Sequence, residues 1–372
     1  MLCCTASPPS GSPSSVQSIT RKIDAKEDGP TRQVLKTIDA HVAGEPLRLI
    51  VDGVPSPIGR TMAQKRDWLK RHADQVRRAV VLEPRGHRDM CAALLTEPVS
   101  PGSDAGLIFL HNEGYPTISG HGVIAATTIA IEMGLIVFGG RLAAGPAAAE
   151  THVVFDTPAG TVHARARVES RGDGQRVDSV VFSNVPAFVL SGGQPIRLGS
   201  RELRVDVAFG GMFYAIADTE AIGIPLVPAR LPELRRLGVE IRAAINAAGT
   251  TAHPNDDALS GVAGVIFTGP PQDPEAHLRN VTVFGDGAVD RSPCATGTSA
   301  VMAVLDAMGL LEGHSFVHES VVGTLHRGRV ARRTRVGDHD AIVTEIEASA
   351  WITGEHTFYV DEDDPLREGL QI

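Results

Sequence analysis

Two segments of the chain place a hydroxyl or a thiol directly before an apolar helix, where it could accept or donate a proton. In SGHGVIAATTIAIEMGLI (119–136), Ser119 opens the segment and His121 follows two residues later. In CATGTSAVMAVLDAMGLL (294–311), Cys294 stands at the same place. Each also has a structural explanation: serine is a preferred helix N-cap, a histidine here fits a hydrogen-bonded core residue, and a buried cysteine is usually inert.

The two segments align without a gap when the first is shifted by 175 residues, from 119 to 294. Ser119 then falls on Cys294, and the polar start and the Met-Gly-Leu ending are both preserved. The matched register predicts an internal duplication. Two candidate acid–base residues therefore occupy equivalent positions in two halves of the chain.

This arrangement suits the removal of a proton next to a carboxylate. A pseudo-twofold axis would bring two helix N-termini to one cleft, and each end supplies unpaired N–H groups and the positive end of the helix dipole. These groups would bind a carboxylate and stabilise the negative charge of an enolate-like form. A cysteine at a helix N-terminus is expected to have a lowered pKa, so we expect Cys294 to be the base.

Strand-like and helix-like stretches alternate along the chain, which indicates an α+β protein. Segments in which β-branched residues alternate with others, bounded by Gly, Pro or Asp, predict strands. In one half they lie at 34–44, 104–111, 151–168 and 177–190, and in the other at 201–218, 262–269 and 278–285. Helical periodicity predicts a helix over 63–81 and another near 228–248. Each half thus has its own strands and its own apolar helix.

Composition restricts the class of protein. A length of 372 residues suits two domains, and the 42% apolar and 21% charged residues are typical of a globular protein. The net charge of −9 argues against a nucleic-acid or acidic-membrane surface, and no apolar run is long enough to span a bilayer. Four scattered cysteines predict neither a disulfide framework nor a zinc site, and we expect the cytoplasm. Residues 1–30, rich in Ser, Pro and Gly, are expected to form a disordered leader.

Several longer motifs resemble those of the proline racemase family. DRSPCATGTSA (290–300) resembles the family's thiol-bearing segment. The other half-site is matched by EPRGHRDM (83–90), FLHNEGY (109–115) and SGHG (119–122), and further matches are DAHVAGEPLR (39–48), VAFGGMFYA (207–215) and DEDDPLREG (361–369). The resemblance runs from about residue 34 to the C-terminus.

The resemblance implies a fold similar to that of diaminopimelate epimerase. This fold has two similar α/β domains, each with a sheet wrapped around a central apolar helix, and the active site lies in the cleft between them. The family uses no cofactor and no metal, so we expect neither. Residues 34–195 would form the first domain with Ser119, residues 196–345 the second with Cys294, and residues 346–372 a segment that returns to the first domain.

The resemblance also implies roles for individual residues. Ser119 and Cys294 would flank Cα of the substrate as the catalytic pair, and Asp290 would bind its ring ammonium. Four backbone N–H groups would hold the substrate carboxylate: those of Gly120, His121, Ala295 and Thr296. The His121 side chain would also orient Ser119 or the substrate's 3-hydroxyl. Three weaker binding candidates lie in a charged run that is as often a solvated turn: Arg85, His87 and Asp89.

The Ser/Cys pair bears on the reaction. Epimerisation needs a base on one face of Cα and an acid on the other, and racemases of the family usually carry cysteine at both positions. β-Elimination needs one effective base and help for the leaving hydroxyl. EPRGHRDM and TAHPNDD (251–257) also resemble dehydratases of the family. We therefore expect a cofactor-independent hydro-lyase of amino-acid catabolism that converts trans-3-hydroxy-L-proline to Δ1-pyrroline-2-carboxylate.

Two alternatives stay open. The first is a 4-hydroxyproline 2-epimerase or a proline racemase, because Ser/Cys members with epimerase activity exist. The second is a non-catalytic amino-acid-binding protein in which Ser119 has ended turnover, although the intact Cys294 and Asp290 weigh against it. The expected partner is in each case a small molecule, hydroxyproline or proline, and a homodimer is the candidate assembly.

Overall fold

The computed structural model describes residues 32–136, 149–172, 174–311 and 315–371. The expected leader at 1–30 lies outside the described residues. The helices are α1 (Met62–His72), α2 (Asp74–Val81), α3 (Gly120–Glu132), α4 (Thr219–Ile222), α5 (Leu231–Ala248) and α6 (Ala295–Ala307). The first ten strands are β1 (Arg32–Val42), β2 (Glu45–Asp52), β3 (Cys91–Thr96), β4 (Ala105–His111), β5 (Ala149–Thr157), β6 (Gly160–Arg171), β7 (Gly174–Ser183), β8 (Ala187–Leu198), β9 (Arg201–Phe209) and β10 (Phe213–Asp218). Those that follow are β11 (Ala252–His253), β12 (Asp256–Ser260), β13 (Val262–Gly269), β14 (Leu278–Phe284), β15 (Val289–Asp290), β16 (Phe316–Ser320), β17 (Leu325–Val336), β18 (His339–Ala348) and β19 (Ala350–Asp361).

The same succession of strand pairings occurs twice. In the first half, β1 is antiparallel to β2, β2 parallel to β3, β3 antiparallel to β4, and β4 parallel to β5. In the second half, β9, β10, β13, β14 and β16 pair in the same order and directions. The crossover from β4 to β5 contains α3, and that from β14 to β16 contains α6. The repeated topology agrees with the duplication that the sequence predicts.

Two strands tie the halves into one continuous sheet. The strand β18 pairs with β17 along its length and also with β7 and β8 at its two ends. The strand β19 pairs antiparallel with β1 over residues 32–42, so the chain returns to its first strand near the C-terminus. Within the described residues, seventeen strands share this sheet, and β11 and β12 form a separate pair.

The helices α3 and α6 lie inside the molecule, surrounded by strands. In α3, residues 122–131 are all buried, and in α6 the buried run covers residues 295–303. A helix that is apolar on every side is stable only when protein covers all of its faces. The outer helix α5 instead buries one stripe, Leu234, Leu237, Ile241 and Ile245, whose spacing of three and four residues marks one helix face. Among the described helices, none is long and apolar enough to cross a membrane.

Candidate active site

The N-termini of the two buried helices meet. Ser119 is the N-cap of α3, and its Oγ accepts a hydrogen bond from the N–H of Gly122 at 3.2 Å. Cys294 is the N-cap of α6, and its Sγ accepts from the N–H of Gly297 at 3.4 Å. A Cβ added to Gly120 would lie 2.6 Å from Cβ of Ala295, so the first residues of the helices touch. Ser119 therefore does cap its helix, and both candidate residues stand at equivalent helix positions.

Cys294 has a strained backbone that its neighbours hold in place. Its φ of 62° lies in a region that residues other than glycine rarely adopt, whereas Ser119 has an extended φ of −143°. The hydroxyl of Ser292 accepts a hydrogen bond from the Cys294 N–H at 3.0 Å. Asp290 Oδ1 in turn accepts from the N–H and hydroxyl of Ser292 at 2.9 and 2.7 Å. Strain of this kind persists only where the surroundings determine it, and it is concentrated at functional sites.

Both helix ends open onto one cavity of about 350 Å³. That volume suits a small ligand. The cavity wall includes both catalytic candidates and most of the expected binding residues, namely Ser119, Cys294, Gly120, His121, Asp290, Ala295, Thr296 and Asp89. The fold thus brings together residues as far apart in the chain as Glu45 and Thr296.

Two of the weaker candidates do not line this cavity. Arg85 forms a 2.5 Å ion pair with Asp364 and donates to the carbonyl of Leu366, so it fastens the C-terminal segment to the first half. His87 is exposed. Asp89, in contrast, is 6% exposed, faces the cavity and pairs with Arg235 of α5 at 3.1 Å. In this charged run, Arg85 therefore makes a structural contact, His87 is solvent-exposed, and Asp89 belongs to the cavity wall.

The expectation of a lowered Cys294 pKa is wrong for this site. The residue is 4% exposed, and burial, followed by the carboxylate of Asp290, raises its pKa to about 12. Hydrogen bonds from Thr296, the Gly297 N–H and Tyr214 act in the opposite direction but are weaker. Without a ligand the side chain is consequently a thiol at neutral pH.

Tyr214 is a site residue that the sequence reasoning missed. It is fully buried, and its hydroxyl lies 2.7 Å from Thr296 Oγ1 and 3.7 Å from Cys294 Sγ. Burial raises its pKa well above the ordinary value, so it is a neutral hydrogen-bonding group. Its motif, VAFGGMFYA, is part of the family resemblance. No spacing rule connects that strand to residue 294, so only the resemblance could have drawn attention to it.

His121 contacts the serine of the pair. Its Nδ1 lies 3.3 Å from Ser119 Oγ, and burial lowers its pKa, so the ring is neutral at pH 7. The backbone of Pro46 opposes that effect as a hydrogen-bond acceptor for the ring, and Nε2 is buried with no hydrogen-bond partner of regular geometry in the described parts of the chain. The ring can therefore orient the Ser119 hydroxyl and still has one nitrogen available.

Asp290 places a negative charge in the cavity wall. It is 4% exposed and lies in the short strand β15, four residues before Cys294. Within residues 32–136, 149–172, 174–311 and 315–371 it forms no ion pair, and the neighbouring Arg291 pairs with Glu45. A buried carboxylate without a cation is costly, so this position suits a ligand that brings a positive charge.

Four backbone N–H groups at the helix ends are available to a ligand. The side chains and carbonyls of the two N-caps take the N–H groups of Gly122, Val123, Gly297 and Thr298. This leaves those of Gly120, His121, Ala295 and Thr296 without an intramolecular partner in the described structure. Each helix N-terminus thus has two free N–H groups at residues that line the cavity, and free N–H groups at helix N-termini commonly bind anions.

Three side chains at the cavity, which the sequence analysis did not group, carry atoms that could hold a metal ion. Glu45, Cys91 and His121 offer ligand atoms that lie within 4.8 Å of one another. The sequence, with its scattered cysteines, predicts no metal site. Only the folded chain brings the carboxylate and imidazole to Cys91.

A family model and curated relatives match most of this chain. The family model described as proline racemase matches residues 37–371. A trans-3-hydroxy-L-proline dehydratase of Bacillus cereus is 41% identical over 339 residues, covering 91% of this chain and 98% of that protein. A proline racemase of Clostridioides difficile is 40% identical, and the match covers 90% of this chain and 97% of that protein.

The fold has solved counterparts. A hydroxyproline epimerase of Agrobacterium vitis, solved with trans-4-hydroxy-L-proline bound, superposes with a TM-score of 0.81 at 33% identity. The match covers 91% of this chain and 95% of that chain. The predicted fold class is therefore confirmed. The exact domain boundaries at 195 and 345 stay predictions.

Proposed function

The chain belongs to the proline racemase family, and from this premise we propose that it is a trans-3-hydroxy-L-proline dehydratase. The reaction removes the Cα proton and the 3-hydroxyl and gives Δ1-pyrroline-2-carboxylate. The observation that carries the proposal is the pair of helix N-caps at one cavity, a thiol on α6 and a hydroxyl on α3. The relative of this name, 41% identical over 91% of the chain, supports it.

The substrate binds through its two charges. Its carboxylate accepts hydrogen bonds from the free N–H groups of Gly120, His121, Ala295 and Thr296. Its ring ammonium pairs with Asp290, which has no cation of its own among the described residues. Charge-assisted hydrogen bonds of this kind are the stronger ones, and together they fix Cα between the two N-cap side chains.

The substrate itself activates the base. Asp290 is, after burial, the largest cause of the high Cys294 pKa. An ammonium group beside Asp290 opposes that effect and lowers the pKa of the thiol. The free enzyme thus keeps a protonated, unreactive thiol, and the bound complex makes the thiolate accessible.

Elimination then follows in two bond changes. The Cys294 thiolate takes the Cα proton, and the electron pair of the C–H bond moves into an enolate that the helix N–H groups stabilise. In trans-3-hydroxyproline the Cα proton and the 3-hydroxyl share a ring face. The new thiol can therefore protonate the leaving hydroxyl, so that the C3–O bond breaks, water departs and the thiolate is restored. The resulting enamine tautomerises to the product.

Epimerisation is the second candidate, favoured by the 0.81 TM-score with a hydroxyproline epimerase. A hydroxyl has a pKa far above that of a thiol, so Ser119 is a poor base but can donate a proton. In an epimerase Ser119 would deliver a proton to the face opposite Cys294. The hydrogen bond geometry with His121 at 3.3 Å is compatible with that role.

Incubation in D₂O separates these reactions. We expect trans-3-hydroxy-L-proline to be converted to Δ1-pyrroline-2-carboxylate. This conversion should be much faster than any reaction of trans-4-hydroxy-L-proline or L-proline. Cα deuteration with inverted configuration in either of those two, faster than any dehydration, would instead identify an epimerase or racemase. Binding of all three without exchange would identify a non-catalytic amino-acid-binding protein.

The wider setting follows from the same proposal. Hydroxyproline or proline is the small-molecule partner, and the acidic chain is not expected to bind nucleic acid or a membrane surface. We place the enzyme in the cytoplasm and consider a homodimer as its assembly. Size-exclusion chromatography with light scattering measures the assembly directly.

A further inference from the structure

Three side chains that can bind a metal converge on one wall of the cavity. Glu45 is the first residue of β2, Cys91 the first of β3, and His121 lies in the first turn of α3. The parallel pairing of β2 with β3 brings their N-terminal ends together. The three ligand atoms lie within 4.8 Å of one another, and Glu45 Oε1 is 4.0 Å from Cys91 Sγ.

Each of the three retains an uncommitted atom. Glu45 is 4% exposed. Its Oε2 accepts hydrogen bonds from the backbone N–H of Arg291 at 2.8 Å and from Nη1 of Arg291 at 3.1 Å. Among the residues that the structure describes, Oε1 of Glu45 has only the long contact with Cys91. The Nε2 of His121 is buried without a hydrogen-bond partner of regular geometry among the described residues. An oxygen, a sulfur and an imidazole nitrogen are thus left facing one another.

We propose that Glu45, Cys91 and His121 form a Zn²⁺ site whose occupation inhibits the enzyme. Carboxylate, thiolate and imidazole are the ligands that zinc prefers, and three protein ligands leave a fourth position for water. A tetrahedral ion with ordinary bond lengths would hold its oxygen and sulfur ligands about 3.6 Å apart. The existing 4.0 Å separation needs only a small contraction.

Binding balances in charge and protons. A Zn–S bond forms as the S–H bond of Cys91 breaks, and the released proton goes to solvent. The thiolate and the carboxylates of Glu45 and the neighbouring Asp290 then balance the two positive charges of the ion and the one of Arg291. The neutral imidazole of His121 adds its free nitrogen pair without a proton change.

Inhibition follows because zinc and substrate need the same residue and the same space. The N–H of His121 belongs to the proposed carboxylate site, and its ring lies 3.3 Å from Ser119 Oγ. All three zinc ligands line the substrate cavity. An ion that fixes the ring toward Glu45 and Cys91 therefore excludes the bound substrate, and substrate in turn excludes the ion.

Cobalt binding tests the site independently of the reaction that the enzyme catalyses. The parent protein for this test is Cys3→Ser/Cys4→Ser, which lacks the two cysteines near the chain start. We expect one equivalent of Co²⁺ to give it a thiolate-to-cobalt charge-transfer band. Zn²⁺ should displace it. Cys91→Ala should abolish the band, whereas Cys294→Ala, which removes the other cavity thiol, should retain it. A band that survives Cys91→Ala, or the absence of a band in the parent protein, would overturn the proposal.

A second variant guards against loss of the fold. Glu45→Gln keeps the size of the side chain, and calorimetric titration should show Zn²⁺ affinity lower by at least about tenfold, the scale of a perturbed metal site. In turnover assays Zn²⁺ should raise the apparent KM of the parent protein and leave that of Cys91→Ala unaffected. Equal zinc affinity in the parent protein and Glu45→Gln would contradict the assignment, whichever substrate the enzyme uses.

Discussion

The thiol of Cys294 is the residue on which the proposed chemistry depends most. It combines a left-handed backbone, nearly complete burial and a neighbouring carboxylate. Cys294→Ser should therefore lower kcat at least about a hundredfold, the contribution of one general base. Unchanged circular dichroism would show that the variant is folded. Turnover within a few fold of the parent enzyme would remove Cys294 from the mechanism.

The raised pKa of Cys294 predicts an unusual reactivity profile. Since burial and Asp290 bring the pKa to about 12, alkylation of the free enzyme by iodoacetamide should be slow at pH 8 and accelerate as pH rises. Asp290→Asn removes the negative charge, so the thiolate forms at lower pH and alkylation at pH 8 should be faster. Peptide mass spectrometry distinguishes Cys294 from Cys91. Equal profiles for parent and Asp290→Asn would mean that Asp290 does not act on the thiol.

The serine of the pair predicts a gain of function. Ser119→Cys puts a thiol at both helix N-termini, and we expect Cα epimerisation of 4-hydroxyproline or proline, measured by polarimetry, to appear beside dehydration. Ser119→Ala is the control, because it removes the cap at a cost of about 1 kcal/mol of folding stability but leaves Cys294 intact. If wild type already epimerises 4-hydroxyproline faster than it dehydrates trans-3-hydroxyproline, Ser119 is a proton donor in its own right and the epimerase alternative replaces the dehydratase.

At this scale the sequence predicts the residues better than their environment. Ser119, Cys294 and Asp290 line the cavity, as the motifs lead one to expect. The pKa of Cys294 shifts opposite to expectation, because burial outweighs the helix terminus and burial depends on distant strands. Tyr214 and Glu45 reach the site from other strands, which no local pattern reveals.

Among the elements, α3 and α6 depend on a close approach that only glycine permits. A methyl group on Gly120 would lie 2.6 Å from Cβ of Ala295, so Gly120→Ala should force the helix ends apart. We expect a loss of about 1–3 kcal/mol in the free energy of unfolding, as for other overpacked sites, together with loss of turnover. Urea denaturation measures the first effect.

Two variants test that explanation. Gly120→Ala/Ala295→Gly moves the methyl group from one helix to the other and should recover most of the stability. Gly192→Ala is a matched control, since its nearest neighbour would be a side-chain oxygen at 3.8 Å. A double variant as unstable as Gly120→Ala would show that the contact with Ala295 is not the cause.

The outer elements show where a periodic pattern is insufficient. The pattern over 63–81 predicts one helix, but the chain forms α1 and α2 with a break at Ala73, whose φ is −147°. The break lets Leu69 of α1 and Val76 and Val80 of α2 enter the same apolar cluster. Alanine is a strong helix former, so local propensity favours the opposite result, and tertiary packing overrides it. The buried helices α3 and α6, which have few alternatives to burial, follow the sequence closely.

Across the whole molecule, the halves are joined both at the sheet and at the cavity edge. The strand β18 pairs with strands of both halves. At the cavity edge Asp89 pairs with Arg235, and Arg88 donates to the carbonyl of Asp286. These contacts join the two halves around the cavity at which the helix N-termini meet. The geometry of the site is consequently a property of the assembled halves and not of either one.

Two buried histidines of the second half should make the free energy of unfolding depend on pH. His318 and His326 face each other across β16 and β17, both fully buried, and His318 Nδ1 lies 2.9 Å from Thr298 Oγ1 of α6. Burial lowers the pKa of each to about 3, below the ordinary 6.5. Above pH 6.5 neither folded nor unfolded chain protonates them. As pH falls below 6.5, the unfolded chain takes up protons that the folded chain does not, so stability decreases.

His326→Phe tests this dependence, because both ring nitrogens of His326 are buried without partners among the described residues and a phenyl ring forgoes no hydrogen bond. Between about pH 6.5 and 4.5, one such histidine steepens the loss of unfolding free energy by up to about 1.4 kcal/mol per pH unit. The variant should therefore lose stability less steeply than wild type, as measured by urea denaturation at several pH values. His87→Gln, at an exposed position, should leave the slope unchanged. An unchanged slope in His326→Phe would mean that this ring is protonated in the folded chain, and the acid sensitivity would then have to arise from other groups.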